Sequence, residues 1–280
     1  MPAVLHLRIQ LGLAAATVLK RSFEKSIMEE QIQFDNQWGE KLAGTLHIPK
    51  TPQGRGVLLG HCFTCSRHTG ILRQLAGDLR REGFFALRFD FSGNGQSEGV
   101  FAESTYSKQV SEMQTALGLL AARGAEWIGV AGHSMGGLIS FLTAARTDSI
   151  KAVCALASRL TGIRATHFLS REQRSTLKRT GEVFFSSRGR SLKLTGEFFA
   201  DVDSFNPVDL LKTFRKPLLI VHGDMDEIIP VEEAYKVRDL SSERVDLEIV
   251  PNADHMFSRE EDRRDISQVA VRWFKEQSES

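Results

Sequence analysis

Apolar and polar positions along the chain alternate between two periods. Residues 31–38 alternate loosely and 41–48 clearly at period two, with Gly39 and Glu40 between them, which predicts a β-hairpin. Residues 57–59 form an apolar strand core. Residues 71–81 then place Ile71, Leu72, Leu75 and Leu79 at helical spacing, and Gly83 ends the run. The same rhythm continues with a buried strand at 84–89 and a helix at 106–122, whose core stripe is Val110, Met113, Leu117 and Leu120. Strands follow at 127–131 and 150–157, with the start of a helix between them. After residue 205 come a short helix at 209–214, a strand at 217–221, a helix at 231–240, a strand at 245–250 and a closing helix at 262–277. Strands and helices that alternate at these lengths predict the α/β class, with a mostly parallel central sheet and helices on both faces.

Residues 158–205 break this rhythm. They are polar and carry Arg159, Arg164, Arg171, Arg174, Lys178, Arg179, Arg188, Arg190 and Lys193, punctuated by Phe168, Phe184, Phe185, Phe198, Phe199 and Phe205. A stretch of this length is more than a loop. It reads as a partly helical cap inserted over the strand ends, with most phenylalanines anchoring it and one or two lining a pocket. The division expected is an N-terminal extension at 1–30, a core at 31–157 and 206–280, and the cap at 158–205.

Composition narrows the function classes. The 280 residues carry 36 Lys+Arg against 35 Asp+Glu, a formal charge of +1, so no overall field draws nucleic acid or an anionic membrane. No apolar run reaches membrane-spanning length. Three cysteines, Cys62, Cys65 and Cys154, argue against a disulfide scaffold and fit a cytoplasmic location. The first 20 residues contain Arg8 and Lys20 but no acid. That start fits an organelle presequence or an export signal as well as an extra amphipathic helix, or a start placed upstream of Met28.

The candidate chemistry lies at strand ends. Gly132, Ser134 and Gly136 form G-x-S-x-G between a strand and a helix, the setting of a nucleophile elbow, although the same turn could hold Ser134 as a plain helix cap. A serine hydroxyl needs a base, and His255 follows the last strand; the base needs an anion, and Asp226 follows the strand before. Asp224 and Asp254 compete with Asp226, but each is more simply a loop brace. His61, His68, His133 and His222 read as structural. The Met135 N–H supplies one oxyanion donor, and the Phe63 N–H, in the loop after residues 57–60, the second. Cys62 and Cys65 form C-x-x-C without a second pair of ligands, so no metal or cofactor is expected. The loop at 90–99 has the wrong glycine spacing to cradle phosphate and reads as a turn braced by Asp90.

Five motifs together resemble the α/β-hydrolase superfamily over roughly residues 32–274. They are H-C-F-T-C-S at 61–66, R-F-D-F-S-G-N-G-Q-S at 88–97, G-H-S-M-G-G at 132–137, H-G-D-M-D-E-I-I-P at 222–230 and A-D-H at 253–255. The chain is similar to the serine aminopeptidase-like (S33-type) and dienelactone hydrolase-like branches. Cys62 stands where those proteins often carry glycine. The H-C-F-T-C-S form resembles hydrolase domains found fused to OsmC-like domains. The resemblance implies the order Ser134, Asp226, His255 for nucleophile, acid and base. It also implies a metal-free serine hydrolase; the fold does not choose the substrate, and small-molecule esters are expected because an alcohol leaves more readily than an amine. The polar cap favours short-chain or aromatic acyl groups, and its basic residues read as a solvated face more readily than as a rim for an anionic substrate. Amidase, aminopeptidase and thioesterase activities occur on the same fold, and a non-catalytic ligand-binding module is the reading from another class.

Overall fold

The pleat of the middle strands sends successive side chains to opposite faces of one sheet. The computed structural model describes residues 28–162, 166, 168–241 and 245–280. The extension expected at 1–30 lies, up to residue 27, outside the described residues. The sheet is built from β1 (Glu29–Asp35), β2 (Lys41–His47), β3 (Arg55–Gly60), β4 (Phe84–Phe89), β5 (Trp127–His133), β6 (Ile150–Leu156), β9 (Leu218–Gly223) and β10 (Val245–Val250). Their order is β1-β2-β4-β3-β5-β6-β9-β10. β1 and β2 form the antiparallel hairpin, β2 pairs antiparallel with β4, and the remaining neighbours are parallel.

The helices take opposite faces. On one side, α1 (Gly70–Arg81) and α8 (Glu260–Glu279) pack on Val57, Leu59, Cys154 and Val221. On the other, α2 (Tyr106–Ala122) and α3 (Met135–Ala144) pack on Leu58, Val130, Val153 and Ile220. Two residues adjacent in β3 therefore enter different cores. This is why the middle strands read as unbroken apolar runs while β1, at the edge, alternates.

Between β6 and α6 (Pro207–Thr213) the chain forms α4 (Arg171–Thr180), β7 (Glu182–Ser187), β8 (Arg190–Thr195) and α5 (Gly196–Asp203). Helices were expected here; the antiparallel β7–β8 hairpin was not. Its two-residue turn is Arg188-Gly189, at φ 52° and 73°, and positive φ at both positions is what a type I′ turn requires. The short flanking runs E-V-F-F-S-S and R-S-L-K-L-T around Arg-Gly were the available signal. In β7, Val183 and Phe185 point inward while Phe184 is 58% exposed. α7 (Glu232–Leu240) separates β9 from β10. Among the described residues, no helix is long and apolar enough to cross a membrane.

Candidate active site

Parallel strands deliver their following loops to one edge of the sheet, and the loops after β3, β5, β9 and β10 converge there. Ser134 is held at φ 55° and ψ −119°, a region costly for any residue with a side chain. Its N–H donates to Leu156 O at 2.8 Å, and Ser158 Oγ donates to Ser134 O at 2.8 Å, so the peptides on both sides of the residue are held. The glycines matter for close approach. A Cβ on Gly132 would overlap the backbone of Gly136, and one on Gly136 would overlap the backbone of Gly60 and His61.

Ser134 Oγ lies 3.1 Å from His255 Nε2, and His255 Nδ1 lies 2.8 Å from Asp226 Oδ2. The other oxygen, Asp226 Oδ1, accepts the backbone N–H groups of Ile228 and Ile229 at 2.9 and 2.7 Å. His222 Nε2 stands 3.2 Å from Asp226 Oδ2 while donating to Ile229 O at 2.8 Å. Burial works against the Asp226 charge, but the bonds from His222 and His255, the attraction of His255 and the Ile229 N–H outweigh it, and the carboxyl sits well below its ordinary range. Each added N–H on a carboxylate contributes about 1.5–3 kcal/mol.

The competing residues are braces. Asp224 Oδ1 accepts the Asn252 N–H at 2.6 Å and Asp254 Oδ1 the Ser258 N–H at 2.8 Å, so each tightens the loop after β10. His133 is fully buried beneath the elbow and donates from Nε2 to His255 O at 2.7 Å. Burial, helped by His255, pushes its ring down to about 3, so it holds the loop as a neutral imidazole. His61 is likewise buried, donating from Nδ1 to Cys62 O at 2.8 Å and accepting the Phe91 N–H at Nε2. His68 is exposed.

The loop after β3 carries one surprise. Cys62 and Cys65 are joined as a disulfide, with Cα atoms 5.2 Å apart. The pair does not tie elements together as a scaffold would. It closes a single turn, made possible by Thr64 at φ 60° and the Cys65 N–H donating to Cys62 O at 3.0 Å. Cys154 is a free thiol, and burial pushes it upward. Among the described residues, neither the Phe63 nor the Met135 N–H has a hydrogen-bond acceptor, and no group of three or more His, Cys, Asp or Glu could hold a metal ion. Asp90 braces its turn as expected, but its partner was not foreseen. Arg67, 3% exposed, forms an ion pair with the fully buried Asp90 and donates its own N–H to Oδ1 at 2.6 Å. Breaking such a pair from one side costs about 3–5 kcal/mol. An arginine just past the C-x-x-C was the only trace in the sequence.

Ser134, Met135, Phe63 and His255 open onto a cavity of about 680 Å³. Phe168, Phe185 and Phe198 line it with Tyr106 and Leu138, and Arg159, Arg188 and Glu227 supply charge at its wall. Phe63 stacks nearly parallel on Phe185, with centroids 5.8 Å apart and 9° between planes. Phe199 and Phe205 are instead buried in the main core, Phe205 beneath Arg146. Arg159 pairs with Glu233 at 3.3 Å. Arg164 lies outside the described residues. A second cleft of about 640 Å³, lined by Arg55, Arg80 and Lys275 at the amino ends of β3 and β4, contains no serine, cysteine or histidine.

The chain is 26% identical over 186 residues to mouse (Mus musculus) palmitoyl-protein thioesterase ABHD10, mitochondrial, and spans 62% of the length of that curated relative. Its fold superposes on the esterase Est1E from Butyrivibrio proteoclasticus, solved with ferulic acid bound. There the TM-score is 0.76 and the identity 25%, over 89% of this chain and 100% of that one. Mouse ABHD10 itself superposes with a TM-score of 0.70 at 21% identity, over 88% and 99% of the two chains. Residues 81–280 match the model of the prolyl oligopeptidase family, Peptidase_S9, and the chain belongs to that family of α/β-hydrolases.

Proposed function

We propose that the protein is a serine carboxylester hydrolase acting on short-chain or aromatic acyl esters, with Ser134 as nucleophile, His255 as base and Asp226 as acid. The observation that carries this reading is the unbroken hydrogen-bonded line from Ser134 Oγ through His255 to Asp226, opening on an aromatic cavity. His255 Nε2 takes the hydroxyl proton as Ser134 Oγ attacks the acyl carbon. Asp226 keeps the other imidazole proton on Nδ1 and offsets the positive charge. The Met135 and Phe63 N–H groups receive the oxyanion, and one such donor is worth about 3 kcal/mol in the transition state. The His255 proton then goes to the departing alcohol, leaving an acyl-serine. Water gives its proton to His255, attacks the acyl carbon and releases the acid, restoring Ser134.

Residues 158–205 act as the cap over a core of 31–157 and 206–280. The ring cluster of Phe63, Phe168, Phe185 and Phe198 suits a flat aromatic or short acyl group better than a long flexible chain. The aromatic acid bound by Est1E supports the same choice. The test is kcat/KM on p-nitrophenyl esters from two to twelve carbons and on a hydroxycinnamate ester, with S134A as control. A maximum at ten carbons or more sinks the acyl assignment, and full turnover by S134A sinks the mechanism.

A second reading, a thioesterase, is favoured by the similarity to a relative named as a palmitoyl-protein thioesterase. Both bonds are cut through the same acyl-serine. Matched oxygen and sulfur esters of one acyl group decide between them: a kcat/KM at least tenfold higher on the thioester selects this reading.

A further inference from the structure

The loop that presents the Phe63 amide is anchored at its ends from within the core. His61 holds Cys62 O, and Asp90 holds Arg67 through both its backbone and its side chain. Its middle, residues 63–65, is closed by the Cys62–Cys65 disulfide and held further from outside the loop. Thr64 Oγ1 shares a hydrogen bond of 2.8 Å with Ser187 Oγ, and Arg190 donates from its guanidinium to Thr64 O at 3.0 Å. The Arg188 guanidinium stands 3.4 Å from Cys65 Sγ. Phe185, two residues before Ser187, stacks on the Phe63 ring. Side chains from β7, its turn and the first residue of β8 thus reach three consecutive residues of the loop. The hairpin is itself seated on the core, because Phe101 in the 3₁₀ turn Phe101–Glu103 contacts both Phe63 and Phe185.

We infer that the tip of the β7–β8 hairpin sets the position of the Phe63 amide, with Ser187 and Arg190 as positioning residues for the oxyanion donor. This rests on the serine-hydrolase reading above. The physical reason is geometric. An oxyanion donor acts only when it lies about 2.7–3.1 Å from where the charge develops. Thr64 sits at φ 60°, a conformation that an unsupported threonine leaves readily. Arg190 ties down the carbonyl and Ser187 the hydroxyl of that residue, next in the chain after the donor. Neither touches Ser134 or His255, so their loss should move the amide without changing the nucleophile or its base. The cavity wall and the oxyanion hole then become one assembly, in which the hairpin contacts add to the disulfide in fixing the amide.

The experiment compares R190A, S187A and R190K with wild type on an aryl ester and on the matching thiono ester, in which sulfur replaces the carbonyl oxygen. Sulfur is large and a poor acceptor, so a well-built oxyanion hole favours the oxygen ester strongly. In R190A and S187A, kcat on the oxygen ester should fall about tenfold or more with KM little changed, short of the 10²–10³ for losing a donor outright. The preference for oxygen over sulfur should shrink in parallel, and R190K should recover part of both. F184A, an exposed ring on the same hairpin, should match wild type. A purely structural role would lower both esters alike and leave the ratio unchanged. An unchanged ratio in R190A and S187A, with wild type active and Ser134 labelled by a fluorophosphonate, overturns the positioning role alone. A wild type that neither turns over esters nor takes the label overturns the serine-hydrolase reading and this inference with it.

Discussion

Asparagine at position 226 and, separately, at position 224 should have effects of very different size, although the two aspartates share one loop. In D226N the new amide oxygen can keep the Ile228 and Ile229 N–H groups that Asp226 Oδ1 now accepts at 2.9 and 2.7 Å. The amide nitrogen then faces His255 Nδ1, where Oδ2 stands at 2.8 Å. An NH₂ group can only donate there, so the imidazole must carry its proton on Nε2, the nitrogen 3.1 Å from Ser134 Oγ. In that tautomer His255 cannot take the serine proton. The equivalent exchange in a serine protease costs about 10⁴-fold in kcat, on the order of 5 kcal/mol in the transition state. Asp224 Oδ1 accepts the Asn252 N–H, and an asparagine oxygen accepts the same bond, so D224N should stay within about tenfold of wild type. The assay is kcat and KM on p-nitrophenyl acetate, with fluorophosphonate labelling as a second measure of Ser134. A D226N protein that keeps more than about a hundredth of wild-type kcat, or a D224N protein less active than D226N, refutes the assignment.

Three further outcomes are expected. Acid should destabilise the protein through buried histidines. Burial, with Arg88 and Arg80, pushes His47 down to about 3, and burial pushes His133 to about 3 as well, whereas both titrate near 6.5 when unfolded. Between those limits the unfolded chain binds the extra protons, so stability falls as pH drops from about 6.5 towards 3, by up to about 1.4 kcal/mol per pH unit per group. H47Q, which can still accept from Arg88, should flatten urea-derived stability against pH by about one proton, and an unchanged slope counts against it. Phe168→Ala removes a ring from the aromatic wall and enlarges the cavity, so the best acyl length should increase; an unchanged optimum on the ester panel removes Phe168 from the acyl site. Two glycine exchanges should have opposite signs in thermal denaturation. G137A forces a methyl against Ser158 Oγ and should cost about 1–3 kcal/mol, whereas G118A adds a methyl into open space at an exposed position of helix α2 and should gain about 1 kcal/mol.

The alternation of strand and helix was legible because it is set by local periodicity, and the helix at Tyr106–Ala122 and strand at Phe84–Phe89 match their expected bounds. Ser134 was legible for the same reason, since strand, glycine turn and helix are neighbours in the chain. Where Asp226 and His255 fall was legible through the parallel sheet, which puts every loop after a strand on one edge. Which of Asp224 and Asp226 faces His255 depends on which backbone amides surround each carboxylate, and only the folded loops show that. The β7–β8 hairpin hid behind adjacent Phe184 and Phe185, which satisfy a helical pattern as readily as a strand. Which phenylalanines line the cavity, and which are buried away from it, was decided by packing against Phe63 and Tyr106. The Cys62–Cys65 bond depended on the backbone of Thr64, whose φ no composition or spacing encodes. The contacts of Ser187 and Arg190 with Thr64 join residues more than a hundred positions apart. Local patterns specify elements and the ends on which loops lie. Which side chains meet across those loops depends on how the whole chain excludes water and pairs its buried polar groups, a property of the assembled fold.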